Sequence, residues 1–359
     1  MTEISRLPTH YYADPLSQVW IACAEALGFR IIRTADAYAS TDGHGNILIA
    51  VDAMFDPDDS LAQMIFHELC HALVEGEDGE GQVDWGLGHA IGQNPWREHA
   101  CLRLQAYLSG KVGLREFFAP TTDFRVSFWD TLPANPFYAT PESGGRRERS
   151  CVAARLAAWR AAQVRWAPLG QALSASAAIA AVTPPFIASA SDNTALPSLW
   201  STVAEPPATH CAGHAPVAAH FAGFGCTDCA WGYVNNQRLR CRHAPAARLP
   251  ESAPACWRFE PSAELDCLTC GACCREAYQA VEISNREPVN KQHPELVVIQ
   301  GSRRKLRRSG ERCAALSGGN QPTEPFACDI YPLRPRTCRE FTRGSENCLD
   351  ARRRVGLSL

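Results

Sequence analysis

SLAQMIFHELCHALVEG spans residues 60–76. Its periodicity predicts a helix with Met64, Ile65, Leu69 and Ala72 on the apolar side. Ser60 followed by Gln63 fits a capping box at the start, and Gly76 fits the exit. Residues four apart on a helix differ in direction by about 40°, so His67 and His71 stand one above the other. Both imidazoles can then reach one Zn²⁺ at about 2 Å. Glu68 falls at the flank of such an ion, where a base must be to take a proton from activated water.

Working outward, residues 15–27 read as a helix with Leu16, Trp20, Ile21, Ala24 and Leu27 on one side. Residues 29–34 and 46–51 read as strands, with Gly43 and Gly45 in the turn between them. The second strand is expected to lie beside the motif helix and to offer an edge to an extended substrate. Downstream, a Gly-rich loop over 76–92 leads to a helix over 94–110, capped by Asn94 and opened by Pro95. A His₂ site needs a third protein ligand and an open position. Glu98, in the first turn of that helix, is the preferred ligand, with His89 and His99 as rivals. Residues 112–148 read as ordered loop, and 149–167 as an Ala-rich helix burying Val152, Leu156, Trp159 and Trp166. A further helix follows at about 170–182. Cys23, Cys70, Cys101 and Cys151 sit in apolar helical contexts and read as buried small side chains.

The chain has 359 residues and is 46% hydrophobic, enough for two domains with their own cores. A net charge of -3 argues for no particular polyanionic or polycationic partner. Cysteine is the outlier: 17 residues, against 3 Met. The start MTEISRLPTHYYADPL lacks the basic and apolar pattern of an export signal. No stretch reads as a membrane span; residues 172–189 come nearest but are mostly Ala and Ser with two prolines. A cytoplasmic location is expected, and there many cysteines mean metal rather than disulfides.

Residues 184–216 are rich in Pro, Ala, Ser and Thr and mark the boundary. Beyond them, 12 of the 17 cysteines lie between Cys226 and Cys348. Cys226 and Cys229 form a Cys-x-x-Cys turn, with Cys241 and Cys256 to complete four ligands; His243, Cys211, His214 and His220 are nearby. Cys267, Cys270, Cys273 and Cys274 place four thiols in eight residues, and Cys313, Cys328, Cys338 and Cys348 follow. These eight suffice for two four-ligand sites, or for one site with additional thiols. Arg334, Arg336 and Arg339 can offset thiolate charge. The basic run from Arg303 to Arg308 has no aromatic interleaving and reads as a solvated face, not a nucleic-acid groove.

His67-Glu68-x-x-His71 resembles the active helix of zincin metallopeptidases. With Glu98 as third ligand it is similar to the gluzincin branch, and it lacks the His-x-x-Gly-x-x-His continuation of metzincins. That resemblance implies Zn²⁺ on His67, His71 and Glu98, Glu68 as base, and hydrolysis of a peptide or protein. It assigns no oxyanion-stabilising residue; Tyr107, Tyr138 and His99 are the candidates. The second half resembles the YkgJ-type cysteine-cluster family, described as zinc- or iron-chelating. Cys267-x-x-Cys270-x-x-Cys273-Cys274 and the segment from Cys328 through Arg334, Pro335 and Arg336 to Cys338 carry that match.

The expected fold is α+β. It comprises a small zincin-like metallohydrolase domain with a helical extension over 1–190, a Pro/Ala-rich linker over 191–225, and an irregular cysteine-rich metal-cluster domain over 226–359. The expected function is a zinc-dependent, peptidase-like hydrolase fused to an Fe–S or zinc domain. Two alternatives stand beside it: an iron-dependent or Fe–S redox enzyme with a redox partner, and a non-catalytic metal sensor or chaperone.

Overall fold

The computed structural model describes residues 9–10, 12–87, 95–139, 145–183, 198–213, 221–321 and 324–359. Helix α1 (Pro15–Ala26) begins where the Asp14 carboxylate accepts from the Ser17 N–H at 2.7 Å and Pro15 takes the first position. It buries Leu16, Trp20, Cys23 and Ala24, and the Trp20 indole donates to Ser176 Oγ at 3.0 Å.

Strands β1 (Arg30–Thr34), β2 (Ala39–Thr41) and β3 (Asn46–Ala50) form a sheet of order β1-β3-β2. β1 runs parallel to β3, and β2 pairs with it antiparallel. This corrects one expectation. The strand at 46–51 has both edges paired, with Ile47 and Ile49 fully buried, so it offers no edge to a ligand. The free edges belong to β1 and to β2, the latter a strand of three residues too short to show a period.

Helix α2 (Leu61–Glu75) carries the His-Glu motif. Ser60 Oγ accepts from the Gln63 N–H at 3.3 Å, but the reciprocal half of the capping box is not made. The Gln63 amide instead donates to Phe117 O at 3.0 Å and ties the helix start to the following loop. Gly76 closes the helix at φ +72°, a conformation that favours glycine. A short turn, α3 (Glu77–Glu80), precedes α4 (Pro95–Gly110), α5 (Arg149–Ala161) and α6 (Ala167–Val182). The helix expected over 149–167 breaks after Ala161. Its inward face is also different: Cys151, Ala154, Ala157 and Ala158 are buried, whereas Val152, Leu156 and Trp159 are half-buried. α5 packs against both α2 and α4, and small side chains permit that approach. Trp20, Phe66 and Phe118 meet in tilted and edge contacts at 5.0–5.4 Å between centroids and fill the core beneath α2.

The second half has short elements. They are the hairpin β4 (Gly232–Asn235) and β5 (Arg238–Cys241), turn α7 (Cys267–Cys270), β6 (Glu282–Ile283), α8 (Val289–Gln292), β7 (Val297–Gln300) and β8 (Arg303–Leu306). They continue as β9 (Arg308–Ser309), β10 (Arg312–Cys313), β11 (Leu316–Gly318), β12 (Phe326–Cys328), α9 (Arg336–Glu340) and α10 (Glu346–Arg354). β6, β8 and β7 form one small sheet, and the remaining strands pair in twos. Its apolar clusters are small and each includes cysteine, the texture of a fold stabilised by metal ligation.

The architecture is mixed helix and small sheet, α+β as expected. Parts of later sequence dock on the first core. Trp200, within the expected linker, lies 4.6 Å from Phe117 between ring centroids, and Ala204 N–H donates to Gly113 O at 3.0 Å. Trp257 is buried in that core beside Tyr107 of α4. No helix among the described residues is long and apolar enough to cross a membrane.

Candidate metal centres

α2 and α4 pack face to face and bring the motif residues to the floor of one cleft. His67 Nε2 and His71 Nε2 are 3.1 Å apart, with ring planes at 88°. The Glu98 carboxylate spans both, Oε1 at 3.3 Å from His67 Nε2 and Oε2 at 3.1 Å from His71 Nε2. His99, one residue on, turns away and stacks on Phe128 at 3.8 Å. The rival His89 and the cap Asn94 lie outside the described residues.

The supporting contacts orient this set. Gln105, also on α4, gives its amide N–H to Phe118 O, which turns its oxygen toward His67 Nδ1 at 3.0 Å. His67 Nδ1 is thereby the protonated nitrogen, and the Nε2 lone pair faces His71 Nε2 and the space that the Glu98 carboxylate borders. Cys101 Sγ lies 3.7 Å from Nδ1, on the other edge of the ring, and its thiol is pushed well up by burial and then by its hydrogen bond with Cys70. It is a packed neutral thiol behind the ligand. Burial works against a charged His71, yet the Glu98 charge and hydrogen bond carry it up to about 9. Burial opposes the Glu98 charge in turn, and the two imidazoles hold that carboxyl down at about 2. Together with Cys101, these three form the set, among the described residues, whose candidate ligand atoms all lie within 4.8 Å of one another.

Glu68 is buried, and its Oε2 accepts the Trp85 indole N–H at 2.7 Å. The cleft, about 800 Å³, is lined by His67, Glu68, His71 and Glu98 and on its far wall by Ala39, Ser40 and Thr41 of β2. Tyr107, Tyr138 and His99, the candidates for oxyanion stabilisation, do not line it. Gln105 and Trp85 were not legible as site residues, because nothing in their local sequence marks them.

In the second half, Cys226, Cys229, Cys241 and Cys256 surround one small pocket with His210 and His243. The Cys-x-x-Cys turn, the end of β5 and the segment after Pro254 supply them. His210 Nδ1 accepts from the Ala212 N–H at 3.1 Å, leaving Nε2 to donate to Pro254 O at 3.0 Å. That ring therefore buttresses the pocket and sets Nε2 at 3.3 Å from Cys226 Sγ. Burial pushes Cys226 and Cys256 up to about 12. Cys211 is exposed, and His214 and His220 lie outside the described residues.

The other eight cysteines, Cys267, Cys270, Cys273, Cys274, Cys313, Cys328, Cys338 and Cys348, line a single cavity of about 280 Å³. Arg334, Arg343 and Arg352 line it too. Arg352 is buried against Glu260 at 2.6 Å, a pair that sequence reasoning missed. Cys273 and Cys274 have their sulfurs 3.9 Å apart; the hydrogen bond with Cys274 holds Cys273 down at about 7, and Cys274 rises in return. Thiols crowded together under arginines, walled by apolar side chains, are the donor set of a soft or borderline cation.

This second half is thus that of a cysteine-ligated metal-binding protein. Residues 266–354 match a family described as "CxxCxxCC: Putative zinc- or iron-chelating domain". The chain is 33% identical over 103 residues to the uncharacterized protein YkgJ of Escherichia coli O157:H7, covering 26% of this chain and 93% of that protein. It is 32% identical over 88 residues to a protein of Acinetobacter calcoaceticus named "Putative ferredoxin", covering 24% of this chain and 71% of that one. The chain belongs to this CxxCxxCC cysteine-cluster family through its C-terminal part. The family match does not reach the His67–Glu98 region, and no solved structure matches the chain.

Proposed function

We propose that the chain is a metal-dependent hydrolase of peptide or protein substrates, with zinc at His67, His71 and Glu98 and a thiolate metal domain behind it. The observation that carries this reading is the convergence of two imidazole Nε2 atoms and one carboxylate, 3.1–3.3 Å apart, on the floor of a cleft that Glu68 also lines. Zinc bound there supplies Lewis acidity and brings the pKa of water near 7. Glu68 takes the proton of the attacking water and passes it to the leaving group. Trp85 holds one Glu68 oxygen, so the carboxylate is aimed rather than free to rotate. β2 is an edge strand of its sheet and lines the cleft, which suits an extended peptide added as a fourth strand beside Ala39 and Ser40.

Glu68→Gln tests the reading. The variant is expected to retain its metal and lose hydrolysis of a mixed fluorogenic peptide pool; a variant with full activity rules out water activation by Glu68.

A second reading is favoured by the cysteine-rich half. Two histidines and one carboxylate also describe a non-haem iron site, and an Fe–S domain next to it would supply electrons from a redox partner. Iron at the front site and brown colour in the anaerobically purified protein, with no peptide hydrolysis, would select it. Metal bound at both halves with neither chemistry would leave a sensor or chaperone. So many unbridged thiols suit a reducing compartment such as the cytoplasm.

A further inference from the structure

We propose that the eight cysteines of residues 267–348 form two separate four-thiolate metal sites: Cys267, Cys270, Cys273 and Cys348 in one, and Cys274, Cys313, Cys328 and Cys338 in the other. The proposal rests on the metal-chelating reading of this half and is independent of the hydrolase reading.

The division follows the packing. Cys270 and Cys273 belong to an apolar cluster with Ala351, Val355 and Leu357, the residues of α10 and its exit. Cys274 joins a different cluster, with Cys313, Cys328, Cys338 and the sheet residues Ile283 and Leu306. Two consecutive cysteines therefore face different cores. Gly271 makes this turn possible: at φ +58° it sends the chain back from α7, and a Cβ there would meet the Phe326 ring at 2.8 Å. α10 packs on the 272–274 turn and carries Cys348 to the first set. β10, β12 and α9 carry Cys313, Cys328 and Cys338 to the second.

Cys273 Sγ lies 3.9 Å from Cys274 Sγ, so the two sets meet at this consecutive pair, which is the seam between them. Arg334 and Arg352 line the cavity that holds both sets. Four thiolates complete a tetrahedral ion or the outer ligation of one Fe–S cluster, so eight thiolates in two sets leave none over.

The test uses the full-length protein purified without oxygen, with zinc and iron counted per chain and the visible spectrum recorded. Metal at the front site and at Cys226–Cys256 is common to all variants, so the differences from the parent protein are read. Cys348→Ser and Cys328→Ser should each remove the metal of one site. Cys267→Ser with Cys348→Ser, within one set, should remove no more than Cys348→Ser alone. Cys348→Ser with Cys328→Ser, across the sets, should remove both. A within-set double that loses twice as much as the single overturns the division. So does a single variant that strips the whole region while circular dichroism stays native. If Cys348→Ser does not fold, the exposed Cys267 replaces it as the single variant of that set. A parent protein with no metal in this region overturns both the division and the chelating reading, and leaves the hydrolase reading standing. Visible absorbance near 400 nm assigns the lost sites to Fe–S; zinc loss without colour assigns them to zinc.

Discussion

Trp85 gives its indole N–H to Glu68 Oε2 across 2.7 Å, and both side chains are almost wholly buried. The tryptophan is placed by an unusual turn: Asp84, Trp85 and Gly86 all have positive φ, at 51°, 51° and 73°. Two of the three are not glycine, so the turn holds strain that surrounding contacts must offset. Arg97 supplies some of them, donating to Gly86 O at 2.6 Å and to Trp85 O at 3.3 Å. Trp85→Phe keeps an aromatic ring at the site and removes the donor. On the proposed mechanism the base loses the contact that aims it, and hydrolysis should fall about 10-fold or more. Metal content should not change; equal loss of metal would show that Trp85 supports the fold rather than the base.

Gln105 fixes the tautomer of His67 from a position 38 residues away in sequence. Removing such a partner weakens metal binding by roughly 10–100-fold. Gln105→Leu should therefore lose zinc to a chelator at that lower threshold with a near-native circular dichroism spectrum. Unchanged affinity would show that the ring is oriented by packing alone.

The His71–Glu98 pair sets a pH dependence for the metal-free protein. His71 rises from 6.5 to about 9, so its contribution to stability is whole below pH 6.5 and is lost as pH climbs through 9. Glu98 falls from 4.5 to about 2, so its contribution is whole above pH 4.5 and is lost as pH drops toward 2. Metal must displace the proton on His71. Zinc binding at pH 7 should release a proton, seen as a buffer-dependent heat in titration calorimetry, and apparent affinity should rise with pH and level off above about 9.

Arg352 is enclosed by Glu260, Ser358 Oγ at 3.0 Å and Leu357 O at 3.3 Å. Arg352→Met leaves the Glu260 charge buried and unpaired, a loss of about 3–5 kcal/mol in comparable pairs. Chemical denaturation should show that loss, and adding Glu260→Gln should recover most of it. A neutral single variant would mean that water reaches Glu260.

How much of this was legible depends on how local each signal is. The helix over 61–75 announced itself because cap, period, motif and exit all fall within one short stretch, and Glu98 because it opens the next helix. β2 was invisible at three residues, and with it the edge that lines the cleft. The inward face of α5 was misjudged because size was taken as the guide to burial, whereas close helix packing selects Ala154, Ala157 and Ala158. The partners Gln105 and Trp85, and the divergence of Cys273 from Cys274, exist only after distant segments meet. Tertiary placement, not residue type, defines them.

Trp257 follows Cys256 directly, yet it packs in the first core, 5.9 Å from the ring of Tyr107 on the helix that bears Glu98. A ribosome delivers residues at about 5–20 per second, so the first core waits on the order of ten seconds after α6 is made before Trp257 emerges. Throughout that interval the nascent chain carries an open apolar notch beside Tyr107. Proteolysis or truncation at the proline-rich stretch would make that notch permanent.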